Sequence, residues 1–222
     1  MRPLILASAS PRRRQLLALA GWPFAVATAD IDETPLPAEH PSAFVGRLSQ
    51  AKARAVADRL PPTKEQPIIV ACDTTVVHDD TLLNKPADAA EARTMLATLR
   101  GRTHLVLTGL AVLDTATGAL HAEIVETPVP MRSFSDAEME AYIASGDPLD
   151  KAGAYAIQHP SFQPVDRAVF SHCFANVMGL PLCHLRRSLH AFGLASPELH
   201  QACQAFIPYD CLLHPELLIV DF

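Results

Sequence analysis

Two clusters of side chains in this sequence could handle a polyanion. The first is Ser8-Ala9-Ser10-Pro11-Arg12-Arg13-Arg14, which follows the short apolar run Leu4–Ala7. Ser10 suits a helix N-cap, and Pro11 suits the first helical position, where its missing N–H costs nothing. A helix N-terminus offers unpaired N–H groups and the positive end of the helix dipole to an anion. The guanidinium forks of Arg12, Arg13 and Arg14 add donors shaped for phosphate. Three cations there oppose the dipole, so the arrangement is mildly destabilising unless an anion compensates it. A phosphate site therefore ranks above a solvated basic turn. The second cluster is Asp73-Thr74-Thr75, placed where the apolar run Ile68–Cys72 ends. In open α/β sheets ligands sit beyond the carboxyl ends of strands. If the two apolar runs are parallel neighbours, arginines and a carboxylate face one crevice.

Other charged residues divide less cleanly. Lys52 borders an apolar stripe of Phe44, Leu48, Ala51 and Ala55 in a helical stretch from 42 to 59. It either snorkels outward or points into a polar pocket, and spacing favours neither. Lys85 precedes Pro86, which restricts it to an extended backbone. Glu33 lies in an acidic loop from Asp30 to Thr34, and such loops are commonly just solvated.

The elements that must position these residues follow from periodicity and punctuation. Strands are expected at 4–7, 24–28 and 68–72, with a short hairpin over 76–83. Helices are expected from 11, over 42–59 and over 89–99. A strand at 105–113 turns at 114–118 and returns as an antiparallel partner to 132, a ribbon long enough to project from a core. Ser135 caps a helix to Ala144, an irregular segment spans 147–158, a strand is expected at 169–174, and a helix at 180–192 ends at Gly193. A short helix and a loose tail follow from Ser196. Alternating strands and helices give an α/β fold with a mixed, mostly parallel twisted sheet flanked by helices.

Composition narrows the class. A chain of 222 residues, 49% hydrophobic, suits one domain or one domain with an appendage. The net charge of −6 argues against a general nucleic-acid binder. No apolar run is long enough for a membrane span. The apolar start is too brief for a signal peptide, so a cytoplasmic location is expected. Five cysteines without a tight framework fit reduced thiols. Cys72, inside an apolar strand, reads as buried and inert. No nucleophile-elbow pattern surrounds Ser8 or Ser10.

The motifs together resemble the Maf family of nucleotide pyrophosphatases: LASASPRRRQLL at 6–17, DET at 32–34, AKA at 51–53, ACDT at 71–74, NKP at 84–86, TGLAV at 108–112, SGDPLDKAGAYAIQ at 145–158 and GLPL at 179–182. The resemblance spans about residues 4–190 and implies an elongated fold with a central cleft, similar to inosine triphosphate pyrophosphatase (Maf/Ham1-like). It implies a domain over 1–194 and a C-terminal extension over 195–222. The implied reaction is hydrolysis of nucleoside triphosphates to monophosphate and pyrophosphate with a divalent metal, Mg²⁺ or Mn²⁺, as house-cleaning of the nucleotide pool. Asp73 would be the proton acceptor, with Glu33 and Lys52 also catalytic, and Asp73 and Glu33 are the natural metal ligands. An ion-bound carboxylate is a poorer base, so Asp73 either takes the water's proton directly or holds the metal that does so. Ser8, Arg12, Arg13, Thr74, Lys85, Asp150, Lys151 and Gln158 would bind substrate. Arg13, Thr74 and Gln158 match the branch acting on dTTP and UTP. Gln158, with one acceptor and two donors, fits a pyrimidine edge. After Gln158 the family runs into glycines, whereas this chain reads His159-Pro160-Ser161-Phe162-Gln163-Pro164.

One rival reading is a regulator of cell division that binds nucleotide without turning it over. Asp73 discriminates, because a pure binder needs no carboxylate among phosphates. The ribbon and last helix would suit a homodimer. His200-x2-Cys203 and Cys211-x2-His214 have zinc-like spacing, read first as scattered thiols and histidines and second as a structural metal site.

Overall fold

The computed structural model describes residues 2–61, 65–196 and 198–207. Its core is one sheet in the order β2-β1-β3-β5-β6, with β4 paired to β3. The strands are β1 Leu4–Leu6, β2 Phe24–Val26, β3 Ile68–His78, β4 Thr81–Leu83, β5 Thr103–Asp114 and β6 Leu120–Pro130. The helices are α1 Pro11–Ala18, α2 Pro41–Ala57, α3 Ala89–Leu99, α4 Asp136–Ala144, α5 Phe174–Val177, α6 Leu182–Ala191 and α7 Leu199–Phe206. Two 3-10 turns, Asp147–Asp150 and Ala152–Ala154, lie between α4 and α5.

The sheet is mixed, as expected, but parallel pairing is confined to β1 with β2 and β1 with β3. The longer β3–β5 and β5–β6 ladders are antiparallel. A short turn from β5 to β6 permits only that sense, since parallel neighbours need a crossover. The ribbon of β5 and β6 does not project. β5 pairs with β3 from Ile68↔Asp114 to Val77↔Leu105 and so lies inside the sheet. No strand forms at 169–174. Residues 167–169 turn and α5 begins at Phe174, with Cys173 as its N-cap.

Side chains alternate across β3. Val70 and Cys72 join the large core under α1, α3, α4, α5, α6 and α7. Ile69 and Ala71 pack with Ala53 and Val56 of α2 on the opposite face. α2 lies against bare backbone on β5: a Cβ at Gly109 would stand 2.2 Å from the Val45 carbonyl oxygen. Gly109 is the cross-strand partner of Asp73.

α7 is not loose. Leu199, Cys203 and Ile207 join the main core, and Ser196 Oγ donates to the Ala20 carbonyl at 3.0 Å. Residues 208–222, the expected loose tail, lie outside the described residues. Among those described, no helix is long and apolar enough to cross a membrane.

Candidate active site

A break in the sheet makes the cleft. β1 leaves β3 after Leu6↔Val70, with a last bond from Ala7 N to the Val70 carbonyl at 2.8 Å. β4 joins the same edge only at Val76↔Leu83. Between them, residues 71–75 of β3 carry no neighbouring strand on that side among the described residues. Asp73 is therefore not at a strand end, as its sequence context suggested; β-branched Thr74 to Val77 continue the strand through it. The crevice arises because β1 is short. Adjacent Asp73 and Thr74 point to opposite faces, yet both line one cleft of about 580 Å³.

On the α2 side, Lys52 is buried, and Nζ donates to Asp73 Oδ1 at 2.6 Å. It also pairs with Glu33 Oε1 at 2.9 Å. The buried stripe of α2 is Phe44, Val45, Leu48, Ser49, Lys52, Ala53 and Val56. Ala51 and Ala55, expected on it, flank it instead. Seating the Val45–Ser49 turn on Gly109 rotates the helix so that Lys52, two turns beyond Val45, comes down over Asp73. The inward reading of Lys52 is the one observed. A buried ion pair persists only where geometry and further partners offset desolvation; Glu33 supplies the further partner.

On the other face, Arg13 is held by three acceptors. Nε donates to the Gly179 carbonyl at 2.8 Å, one terminal nitrogen to Ser8 Oγ at 3.1 Å and the other to Thr74 Oγ1 at 2.9 Å. Thr74 Oγ1 is in turn 2.9 Å from Thr108 Oγ1. A guanidinium has five N–H donors, so two remain for a ligand. Ser8 and Thr74, expected to meet substrate, thus also orient the arginine that would. Ser10 caps α1, its hydroxyl accepting from Arg13 N at 3.4 Å. Arg12 also lines the cleft, 3.7 Å from Asp150 Oδ2. Arg14 does not: it is exposed and outside the cleft. Successive helical residues are rotated by about 100°, so three arginines in a row cannot share one face.

The far wall comes from residues 150–158. Lys151 is buried, and Nζ donates to the Asp147 carbonyl at 2.6 Å and to Asp150 Oδ1 at 2.5 Å. Asp150, Lys151, Tyr155 and Gln158 line the cleft with Lys85 from the end of β4. Apart from Arg14, every site residue expected from the sequence is therefore at one cleft. Reading side chains missed three supports. The Gly179 carbonyl has no side-chain signature, and its φ of +102° suits glycine. Asn84 Oδ1 accepts from Thr75 Oγ1 at 2.9 Å; its signal was the Pro-linked NKP triplet. Tyr142 donates to Asp147 Oδ2 at 2.7 Å and accepts from Ala156 N at 3.1 Å, tying the wall and the turn that leads into it to α4. Cys72 is buried as expected, and burial pushes its thiol up to about 12.

Two carboxylates at the cleft, Asp73 and Glu33, offer hard oxygen donors. Their pairs with Lys52 run through one oxygen each. Among the described residues no group of three or more His, Cys, Asp or Glu could hold a metal. Two carboxylates together with phosphate oxygens of a bound substrate would suffice for a hard divalent cation such as Mg²⁺. Of the residues with zinc-like spacing, Cys211 and His214 lie outside the described residues, and among those described His200 and Cys203 belong to no group of three or more potential ligands.

A family model described as "Maf-like protein" matches residues 3–192. The chain is 45% identical over 190 residues to the dTTP/UTP pyrophosphatase of Syntrophotalea carbinolica, covering 86% of this chain and 84% of that protein. It is 47% identical over 194 residues to the protein of the same name from Myxococcus xanthus, covering 87% and 94%. For that of Geobacter metallireducens the figures are 44% over 190 residues, covering 86% and 96%. Among solved structures, the Staphylococcus aureus Ham1 protein aligns with a TM-score of 0.44 at 11% identity, over 73% of this chain and 79% of that one.

Proposed function

The chain belongs to the Maf family, and from that premise we propose that it hydrolyses dTTP and UTP to the nucleoside monophosphate and pyrophosphate. The observation that carries the reading is the buried Asp73 carboxylate, paired with Lys52 and Glu33 in the same cleft as Arg12, Arg13 and Lys85. A triphosphate brings about four negative charges, and binding it asks for several fixed cations. The arginines and lysines supply them. A phosphate-binding cleft that only held nucleotide would gain nothing from Asp73, whose charge repels the ligand.

Little covalent work falls to the protein in phosphoryl transfer; positioning and electrostatics dominate. A water oxygen attacks the α-phosphorus, the bond from that phosphorus to the bridging oxygen breaks, and pyrophosphate leaves. Asp73 accepts the water's proton. Lys52, whose Nζ donates to Asp73 Oδ1, keeps the carboxylate aimed and balances its charge. Arg13, pre-oriented by Ser8, Thr74 and Gly179, has two N–H groups for phosphate oxygens and pays no reorganisation on binding. A divalent cation at Asp73 and Glu33 would neutralise charge on the phosphates and make the attacking water more acidic. Gln158 reads the edge of the pyrimidine. A cytoplasmic nucleotide pool is the setting that suits this substrate.

The test is a panel of common and modified nucleoside triphosphates with Mg²⁺ or Mn²⁺, assayed for monophosphate and pyrophosphate. The expected result is preference for dTTP and UTP. Tight binding with no pyrophosphate from any nucleotide would instead make the protein a binder.

A further inference from the structure

Tyr155 is a buried residue of the cleft wall whose hydroxyl is bonded away from the cleft, to His104 Nε2 of β5 at 2.8 Å. His104 is itself buried and outside the cleft lining. The rings meet edge to face, with centroids 5.3 Å apart. Burial, and then His78 on the adjoining strand, push His104 down to about 3, so the imidazole stays neutral and bonds as a neutral group. The backbone before Tyr155 is strained. Gly153 has φ +67° and Ala154, a non-glycine with no exposed surface, has φ +59°. Such a turn persists only where its surroundings over-determine it. Backbone bonds from Gly153 N to the Asn84 carbonyl and from Ala154 N to the Lys151 carbonyl hold the turn itself, and the bonds of Ala156 N to the Tyr142 hydroxyl and of Tyr155 to His104 hold the residues that follow it.

We propose that His104 is a positioning residue: by holding Tyr155 it fixes the 155–158 wall, with Gln158, in the register that the nucleobase meets. The inference rests on the proposed nucleotide reaction and assigns the base-side wall to a residue buried beneath it. Lys52, Asp73 and Arg13 have their own supports, so the polyphosphate end does not depend on His104.

The test uses Tyr155→Phe, which removes one hydroxyl, His104→Phe, and the double variant. Calorimetry measures affinity for α,β-methylene-dTTP, which cannot be cleaved between those phosphates, and for inorganic tripolyphosphate, which has no base. Each single variant is expected to bind the nucleotide about tenfold more weakly while tripolyphosphate affinity stays within about twofold. The double variant should be no weaker than either single one, since one bond is removed once. Equal losses for both ligands, no loss, or additive losses would overturn the proposal. If His104→Phe does not fold, Tyr155→Phe alone decides by the same ratio. Pyrophosphate release by the wild-type protein is scored separately, so failure of the reaction and failure of the positioning role are told apart.

Discussion

A single ammonium group spans two carboxylates in this protein: Lys52 Nζ stands 2.6 Å from Asp73 Oδ1 and 2.9 Å from Glu33 Oε1. The relationship joins α2, β3 and the acidic loop before α2, so removing either end has separable effects on rate and stability.

Asp73→Asn keeps shape and an acceptor for Lys52 but removes the proton acceptor. The rate of pyrophosphate release should fall by at least about 10²-fold, with the fold retained by circular dichroism. An unchanged rate would take Asp73 out of the mechanism.

Lys52→Met keeps length and apolar packing but leaves buried Asp73 without its cation. Breaking one end of a buried pair costs about 3 kcal/mol or more, so the urea midpoint should drop and activity should vanish. A variant as stable as wild type would mean that the pair contributes nothing to the fold.

Two neighbouring arginines should behave oppositely. Arg13→Ala removes the pre-oriented fork, and its KM should rise by at least about tenfold. Arg14→Ala changes an exposed residue outside the cleft and should stay within about twofold on both kcat and KM. Steady-state kinetics on the pair distinguishes a built site from a diffuse basic patch.

Gly179→Ala would put a Cβ 3.3 Å from both Arg13 Nε and Thr74 Oγ1, at a φ of +102°. The strain costs about 1–3 kcal/mol, and Arg13 must shift. Thermal unfolding should move down, and KM should rise more than kcat falls.

Acid should weaken the fold through specific carboxylates. Hydrogen bonds from Arg2 hold Asp114 down at about 2, against 3.8 for the free group. Arg47 and Arg132 likewise hold Glu39 and Glu138 at about 2, against 4.5. The folded values lie below the unfolded ones. This stabilisation is therefore complete above about pH 4.5 and lost as pH falls towards 2. Urea titrations at pH 5 and pH 3 should show the drop, and Asp114→Asn should lessen it.

Much of the site was legible because its charged groups sit at patterned breaks. Arg13 follows a strand-to-helix turn with a proper cap, and Asp73 follows an apolar run. The sequence did not reveal that β3 runs on through Asp73, because Asp-Thr-Thr looks like a strand end while the following valines belong to the same strand. Lys52 was ambiguous for a physical reason. A helix's rotation about its axis is fixed by what it rests on, here Gly109 and not its own stripe. Arg14 was grouped with its neighbours because adjacency in sequence is not adjacency on a helix. Gly179 acts through a carbonyl, and the His104–Tyr155 bond joins residues 51 apart; neither leaves a local pattern.

The closeness of α2 to β5 at Gly109 reaches the reaction itself. Asp73 sits directly across from that glycine, and Lys52 descends from the helix resting on it. The gap between ammonium and carboxylate is thus gauged by a spacer that has no side chain. One methyl group at position 109 would act as a wedge, lifting the lever arm that carries Lys52 and disabling the cleft from a residue that never meets the nucleotide.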